Sequence, residues 1–222
     1  MGVDELRARA QASDPILWVF LGDSITHGAL HTFGWRDYTE IFAERVRFEL
    51  GRQGDLVLNA AYSGYTAPRL ASELDHRCLR FRPQVVSIMI GTNDAKSGVA
   101  GLAEFETTLT DMVRRIQTET GAHVILQTPP PIDTRNAPER DTLPQYAEAM
   151  RRVARATDAA LCDHEAAWLD FEARAGRTRF YLLSDPFHPN EHGHRFMAQT
   201  FLDWLGYGGW DNTSPWASLR PA

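Results

Sequence analysis

Ile16-Leu17-Trp18-Val19-Phe20-Leu21-Gly22-Asp23-Ser24-Ile25 carries an apolar run into a glycine and then a serine. The run 16–21 is short, β-branched and aromatic, which suits a strand buried on both faces better than an amphipathic helix. Gly22 ends it. In an open parallel sheet, ligands collect outside the carboxyl ends of the strands, so Ser24 stands where chemistry is usually done. Taken alone, Gly-Asp-Ser after a strand is more often a plain turn or a helix N-cap than a nucleophile.

Outward from this stretch the chain alternates between two periodicities. Residues 4–12 suit a short helix stopped by Ser13-Asp14-Pro15. From 35 to 50, apolar Trp35, Tyr38, Ile41, Phe42, Val46 and Leu50 recur at helical spacing, and Gly51 closes the pattern. A second strand is expected at 56–61, with the turn Tyr62-Ser63-Gly64-Tyr65 and a helix over 68–79. A third strand at 85–90 ends in Gly91-Thr92-Asn93-Asp94, and a helix follows over 102–119. The strand 124–126 leads into Thr128-Pro129-Pro130-Pro131, which opens a connection to about 142, long enough to be functional or mobile. A helix over 144–157, a fifth strand at 160–162 and helices over 165–175 and 191–205 complete the series. Five strands alternating with helices, without hairpin signals, predict one α/β domain built on an open five-stranded parallel sheet covered on both faces.

Composition excludes several classes of function. With 222 residues the chain supports one substantial core, and 43% hydrophobic with 23% charged residues is ordinary for a globular protein. A formal net charge of −6 argues against a general affinity for nucleic acid or anionic membrane. Cys78 and Cys162 belong to no ligand pattern and read as reduced, buried thiols. The first 15 residues are charged and alanine-rich, unlike a secretory signal, and no run reaches membrane-spanning length; the expected compartment is the cytoplasm. The remaining histidines, His27, His31, His76, His123, His164, His192 and His194, form no metal set in the sequence, and His192 and His194 are expected on the exposed face of the last helix. Neither metal nor cofactor is expected. The segment 206–222, with Trp210 and Trp216, either packs on its own domain or forms a subunit contact that would make a homo-oligomer.

The polar strand ends should gather at one edge of the sheet: Gly22-Asp23-Ser24, Ser63-Gly64, Gly91-Thr92-Asn93-Asp94 and, near the end, Asp185-x-x-His188. A serine needs a base to attack a carbonyl at neutral pH, the base needs an orienting carboxylate, and the oxyanion needs donors already aimed at it. The chain offers a candidate for each part.

This set resembles the SGNH hydrolases, or GDSL esterase/lipase family, over about 16–205, with the four sequence blocks in their usual order. The resemblance implies a flavodoxin-like three-layer α/β/α sandwich. It implies Ser24 as nucleophile, His188 as base and Asp185 as its partner, with Ser24, Gly64 and Asn93 as oxyanion donors. The last block continues into Gly193, Met197 and Ala198. Ala61 and Tyr65 depart from the residues usual at their positions in the second block. An ordinary α/β-hydrolase is disfavoured because no Gly-x-Ser-x-Gly elbow surrounds Ser24.

The expected activity is hydrolysis of short-chain carboxylic esters or of O-acetyl groups on carbohydrates, through an acyl-enzyme. The family also supports thioesters and lysophospholipids. A transacylase would share every residue, and a non-catalytic module of the same fold would be expected to lose a triad member. Trp35, Tyr62, Tyr65, Pro130 and Phe187 lie beside the candidate site in sequence and are expected to contact a small ester or an acetylated sugar, with core packing an equal reading of Trp35. The sequence has no long hydrophobic lid segment, which favours small acyl groups over lipids.

Overall fold

The computed structural model describes residues 3–28, 30–176 and 178–208. Helix α1 spans Val3–Gln11, and strand β1 spans Leu17–Gly22. The four-residue α2, Ser24–His27, follows directly, then α3, Tyr38–Glu44, extended by a π-helical turn over Arg45–Glu49. Strand β2 is Leu56–Asn59, followed by α4, Ala67–Ser72, and α5, Leu74–Arg77. Strand β3 is Val85–Met89 and α6 is Leu102–Thr120. Strand β4 is His123–Gln127, α7 Leu143–Thr157 and β5 Ala160–Cys162. Helices α8, His164–Ala175, and α9, Glu191–Trp204, end the fold.

The sheet is five-stranded and wholly parallel, ordered β2-β1-β3-β4-β5. The chain moves from β1 to one side and then returns to the other, so the strand order reverses between β1 and β3, and a crevice opens at their carboxyl ends. Side-chain alternation along β1 explains why its sequence is apolar throughout. Val19 and Leu21 enter the core beneath α4, α6 and α7, whereas Trp18 and Phe20 enter the core beneath α1, α3 and α9. All four are fully buried. Two cores, one per sheet face, make the three-layer sandwich that the alternation predicts.

Several elements differ from their expected form. The helix expected over 35–50 begins only at Tyr38, because Asp37 and Glu40 form a capping box: Asp37 Oδ1 accepts from Thr39 N–H and Glu40 N–H, and Glu40 Oε2 accepts from Asp37 N–H. Trp35 therefore precedes the helix and is exposed, outside the core. The helix expected over 68–79 is broken at Glu73 into α4 and α5. His194 is buried, stacked parallel to Tyr38 at 6.4 Å, whereas the sequence places it on the exposed face. The long connection after β4 packs into the protein: residues 129–133 are buried, and Asp133 N–H donates to Pro186 O at 2.7 Å. Of the terminal segment, Tyr207 packs on its own domain and donates its hydroxyl to Ala10 O at 2.5 Å, while Trp210 and Trp216 lie outside the described residues. Both cysteines are buried free thiols. Among the described residues no helix is long and apolar enough to cross a membrane.

One buried carboxylate ties the edge of the sheet together. Asp55 accepts from Ile16 N–H at 3.1 Å and Trp18 Nε1–H at 2.9 Å, and pairs with Arg52 at 2.9 Å. Removing it leaves buried donors and a cation without their acceptor. Asp55→Ala should destabilise the fold by about 3–5 kcal/mol, read as a shift in urea unfolding midpoint at constant slope.

Candidate active site

Gly22 ends β1 at a point where a side chain has no room, since a Cβ there would lie 2.4 Å from Met89 O on the neighbouring strand. The chain turns at once into α2. Asp23 caps that helix, its Oδ1 accepting from Ile25 N–H at 3.0 Å, and Ser24 becomes the first helical residue. A first-turn N–H has no intrahelical acceptor, so Ser24 N–H is available to a ligand. The side chain reaches across the crevice, with Ser24 Oγ 2.8 Å from His188 Nε2.

His188 comes from the loop before α9, and local bonds shape that loop. Ser184 N–H donates to His188 O at 2.8 Å, Asn190 N–H donates to Leu182 O at 2.9 Å, and Asn190 Oδ1 caps α9 by accepting from His192 N–H and Gly193 N–H. Asp185 Oδ1 accepts from Phe187 N–H at 2.9 Å and His188 N–H at 2.8 Å. Its Oδ2 lies 2.6 Å from His188 Nδ1. That contact puts the ring proton on Nδ1 and leaves Nε2 as acceptor for the serine hydroxyl.

The two other expected donors lie at the ends of β2 and β3. Gly64 sits third in the turn from Tyr62 to Tyr65, where its φ of 83° is costly for any residue with a side chain. Asn93 Nδ2 donates one hydrogen to Tyr65 O at 3.1 Å. An amide nitrogen carries two, so this bond fixes the carboxamide plane and leaves the second hydrogen for a ligand. Asp94 Oδ1 accepts from Ala67 N–H at 2.8 Å, tying the start of α4 to the end of β3.

The electrostatics suit a neutral base beside an ionised partner. Burial opposes ionisation of Asp185, but its hydrogen bonds from Phe187 N–H, the His188 ring and His188 N–H outweigh that and hold its pKa below the usual carboxylate range. Burial pulls His188 below the ordinary imidazole value despite Asp185, and the nearby His31 and Arg140 pull the same way. His188 is therefore unprotonated at neutral pH.

Of the five residues expected to contact substrate, Tyr62 is exposed beside Gly64, and Phe187 packs at 4.4 Å from the His188 ring with the Arg140 guanidinium 4.0 Å over its own ring. Trp35 is exposed and lines a cavity of about 270 Å³ with Arg36, Ile41, Glu191 and Arg195. Pro130 is buried. Tyr65 is buried too, its hydroxyl engaged by Glu73 and Arg77, and it meets the site through its carbonyl oxygen. Sequence reasoning missed His31, whose ring stacks on His188 at 3.4 Å and 6°, with Nδ1 3.5 Å from Asp185 Oδ2. It also missed Arg140, buried in the connection after β4. Ligand atoms of His31, Asp185 and His188 lie within 4.8 Å of one another. The two imidazoles are parallel, however, so their in-plane lone pairs do not converge on one point, and the arrangement reads as a stack rather than a metal cage.

Asp23, directly before the serine, is fully buried, and burial raises its pKa to about 7 against the hydrogen bond from Ile25 N–H. The unfolded value is near 3.8, so the folded state holds this proton more tightly. The associated stability is complete below about pH 4 and is lost as pH rises through about 7. Asp23→Asn cannot ionise and keeps the acceptor for Ile25. Its stability relative to the parent should rise by a few kcal/mol, on the order of 1.4 per pKa unit, between pH 4.5 and 8, measured by urea unfolding at both pH values.

Comparison with known proteins agrees with this geometry. The model of the GDSL-like lipase/acylhydrolase family matches residues 20–196. An acetylxylan esterase from Geobacillus stearothermophilus is 30% identical over 211 residues, covering 85% of this chain and 93% of that protein. The crystal structure of an acetylxylan esterase from the same organism superposes with a TM-score of 0.75 at 26% identity, over 89% of this chain and 97% of the other. An α/β hydrolase enzyme from the metagenome of Lake Arreo superposes with a TM-score of 0.72, also at 26% identity, over 86% and 95% of the two chains. The chain belongs to the GDSL-like lipase/acylhydrolase family and is a carboxylic ester hydrolase.

Proposed function

We propose that the protein removes acetyl groups from carbohydrate esters through a Ser24-His188-Asp185 triad. The observation that carries this reading is the continuous relay from Ser24 Oγ to His188 Nε2, 2.8 Å, and from His188 Nδ1 to Asp185 Oδ2, 2.6 Å. Ser24 Oγ attacks the acetyl carbonyl as His188 Nε2 takes its proton, and Asp185 steadies the imidazolium that forms. The oxyanion receives hydrogen bonds from Ser24 N–H, Gly64 N–H and Asn93 Nδ2–H. Collapse breaks the bond to the sugar oxygen, which leaves with the proton from His188. Water then attacks the acetyl-enzyme with His188 again as base, releasing acetate and restoring Ser24.

The substrate class rests on two supports. An acetylxylan esterase is among the relatives that the chain matches over most of their length, and structures of catalytic mutants of that enzyme replace a serine, an aspartate and a histidine, the same three residue types. Tyr62 and Trp35 are exposed aromatic rings, the side chains that stack on sugars, one beside Gly64 and the other close in sequence to His31.

Ser24→Ala should abolish release of acetate from acetylated xylo-oligosaccharides and from 4-nitrophenyl acetate while leaving the thermal midpoint near that of the parent. Retained turnover in that variant would remove Ser24 from the mechanism. The pH profile tests the base. Because the His188 pKa is lowered, kcat/KM should fall on the acid side only below the ordinary imidazole value of about 6.5. His31→Ala uncovers one face of the His188 ring and removes a group that lowers its pKa, so the acid limb should move to higher pH. A limb that stays in place would mean that the stack does not act on the base.

A further inference from the structure

We infer that His27 is a positioning residue that holds the oxyanion-hole turn in register with the nucleophile, an inference that rests on Gly64 being an oxyanion donor. Helix α2 carries Ser24 at its first position and His27 at its last. His27 Nδ1 lies 3.2 Å from Ser63 N and 3.0 Å from Ser63 Oγ. A backbone N–H can only donate, so Nδ1 is the unprotonated nitrogen and the ring proton sits on Nε2. One imidazole nitrogen thus grips the residue immediately before Gly64.

What the grip protects is the orientation of one peptide. Tyr65 N–H donates to Tyr62 O at 3.3 Å, and the positive φ of Gly64 at the third position is the requirement of a type II turn. Types I and II differ by a flip of the central peptide, here Ser63–Gly64, whose N–H is the proposed donor. Among the described residues outside the turn, none lies within 4 Å of where a Gly64 Cβ would be, so that side of the glycine is open. Hydrogen bonds to the neighbouring residues provide the restraint on the turn. Asn59 supplies part of it, donating to Thr26 O at 2.6 Å and accepting from Ala61 N–H at 3.1 Å, but it stops three residues short of Gly64. His27 completes it. Its ring is backed by Tyr62 at 5.5 Å and 18°, and the Arg77 guanidinium lies 5.3 Å from the Tyr62 ring.

His27 touches neither Ser24 Oγ nor His188 in the structure's hydrogen bonds, so its effect passes through the turn. A donor moved or rotated away weakens binding of the transition state more than that of the ester, which predicts a loss in kcat rather than KM. Three variants isolate the acceptor atom. Asn carries its Oδ1 at the branch position of Nδ1 and can accept from Ser63; Gln places its oxygen one bond further out; Ala has no acceptor.

The test measures kcat and KM for 4-nitrophenyl acetate and inhibition by methylboronic acid, whose tetrahedral adduct on serine puts an oxygen in the oxyanion position. His27→Ala and His27→Gln should lose kcat by roughly 10- to 100-fold, short of the hundred- to thousandfold typical of deleting a donor outright, with KM within about twofold. The boronic acid should weaken by a similar factor, and His27→Asn should recover most of both losses. Undiminished kcat in His27→Ala, an Asn variant no better than the Gln variant, or a loss confined to KM would overturn the inference. The Asn–Gln comparison decides the matter even where the Ala variant folds poorly. Ser24→Ala is run beside them: its retaining activity would overturn the triad reading as well, whereas an inactive Ser24→Ala with an unimpaired His27→Ala overturns the His27 role alone.

Discussion

Burial of β1 on both faces is the constraint from which the rest follows. Trp18 and Phe20 point into one core and Val19 and Leu21 into the other, so the strand is stable only with helices on both sides. Helices on both sides require crossover connections, crossovers make the sheet parallel, and a parallel sheet brings every strand to its carboxyl end at the same edge. The order β2-β1-β3-β4-β5 then puts the reversal between β1 and β3. Ser24 and Asn93 come from the two strands that flank that reversal, and Gly64 comes from β2 beside them. The site is thus assembled by the economy of the core before any catalytic group is considered.

At that edge, burial acts on each charged group in opposition to hydrogen bonding, and the balance differs from residue to residue. Asp185 accepts from two backbone N–H groups as well as the His188 ring, enough to hold it ionised in a half-buried position. Asp23 is fully buried, and its hydrogen bonds with Ile25 N–H and Thr92 do not offset the loss of solvent, so its pKa rises. Two neighbouring aspartates therefore have opposite preferences, set by how far burial outweighs hydrogen bonding at each. A full charge directly before the serine would compete with the proposed oxyanion for positive potential, and with a pKa of about 7 Asp23 carries that charge only in part at neutral pH.

The layer architecture, all five strands and the residues of the hydrogen-bonded set Ser24, His188 and Asp185 were legible in the sequence, because each rests on a short-range pattern: an apolar run, a turn glycine, a carboxylate three residues before a histidine. What escaped depends on contacts that span the chain. The start of α3 is a partial exception, since Asp37 and Glu40 spell a capping box, yet the apolar spacing from Trp35 extended the expected helix past it. Tyr65 looked like a substrate contact from its place beside Gly64, but Glu73 and Arg77 claim its hydroxyl and turn the ring inward. His194, polar and on the final helix, resembled a surface residue. It is buried against Tyr38, and burial pushes its pKa down to about 3, so it is neutral in the core.

The histidines show why such roles resist reading from sequence. His27, His31 and His188 are all imidazoles with a polar partner, and only His188 carries a flanking signal, the carboxylate of Asp185 three residues before it. Their functions are assigned by geometry: His188 faces Ser24 Oγ, His31 covers the plane of His188, and His27 reaches the turn before Gly64. An imidazole offers one acceptor, one donor and a flat face: His188 uses its acceptor toward Ser24 and its donor toward Asp185, His31 its face, and His27 its acceptor toward Ser63. The proposed base requires an acceptor nitrogen at the serine, the stack requires only a face, and the turn requires an acceptor at Ser63. Because those requirements are distinct, exchanging one histidine for a residue that preserves only the relevant atom or face separates the three contributions, which a scan to alanine would merge.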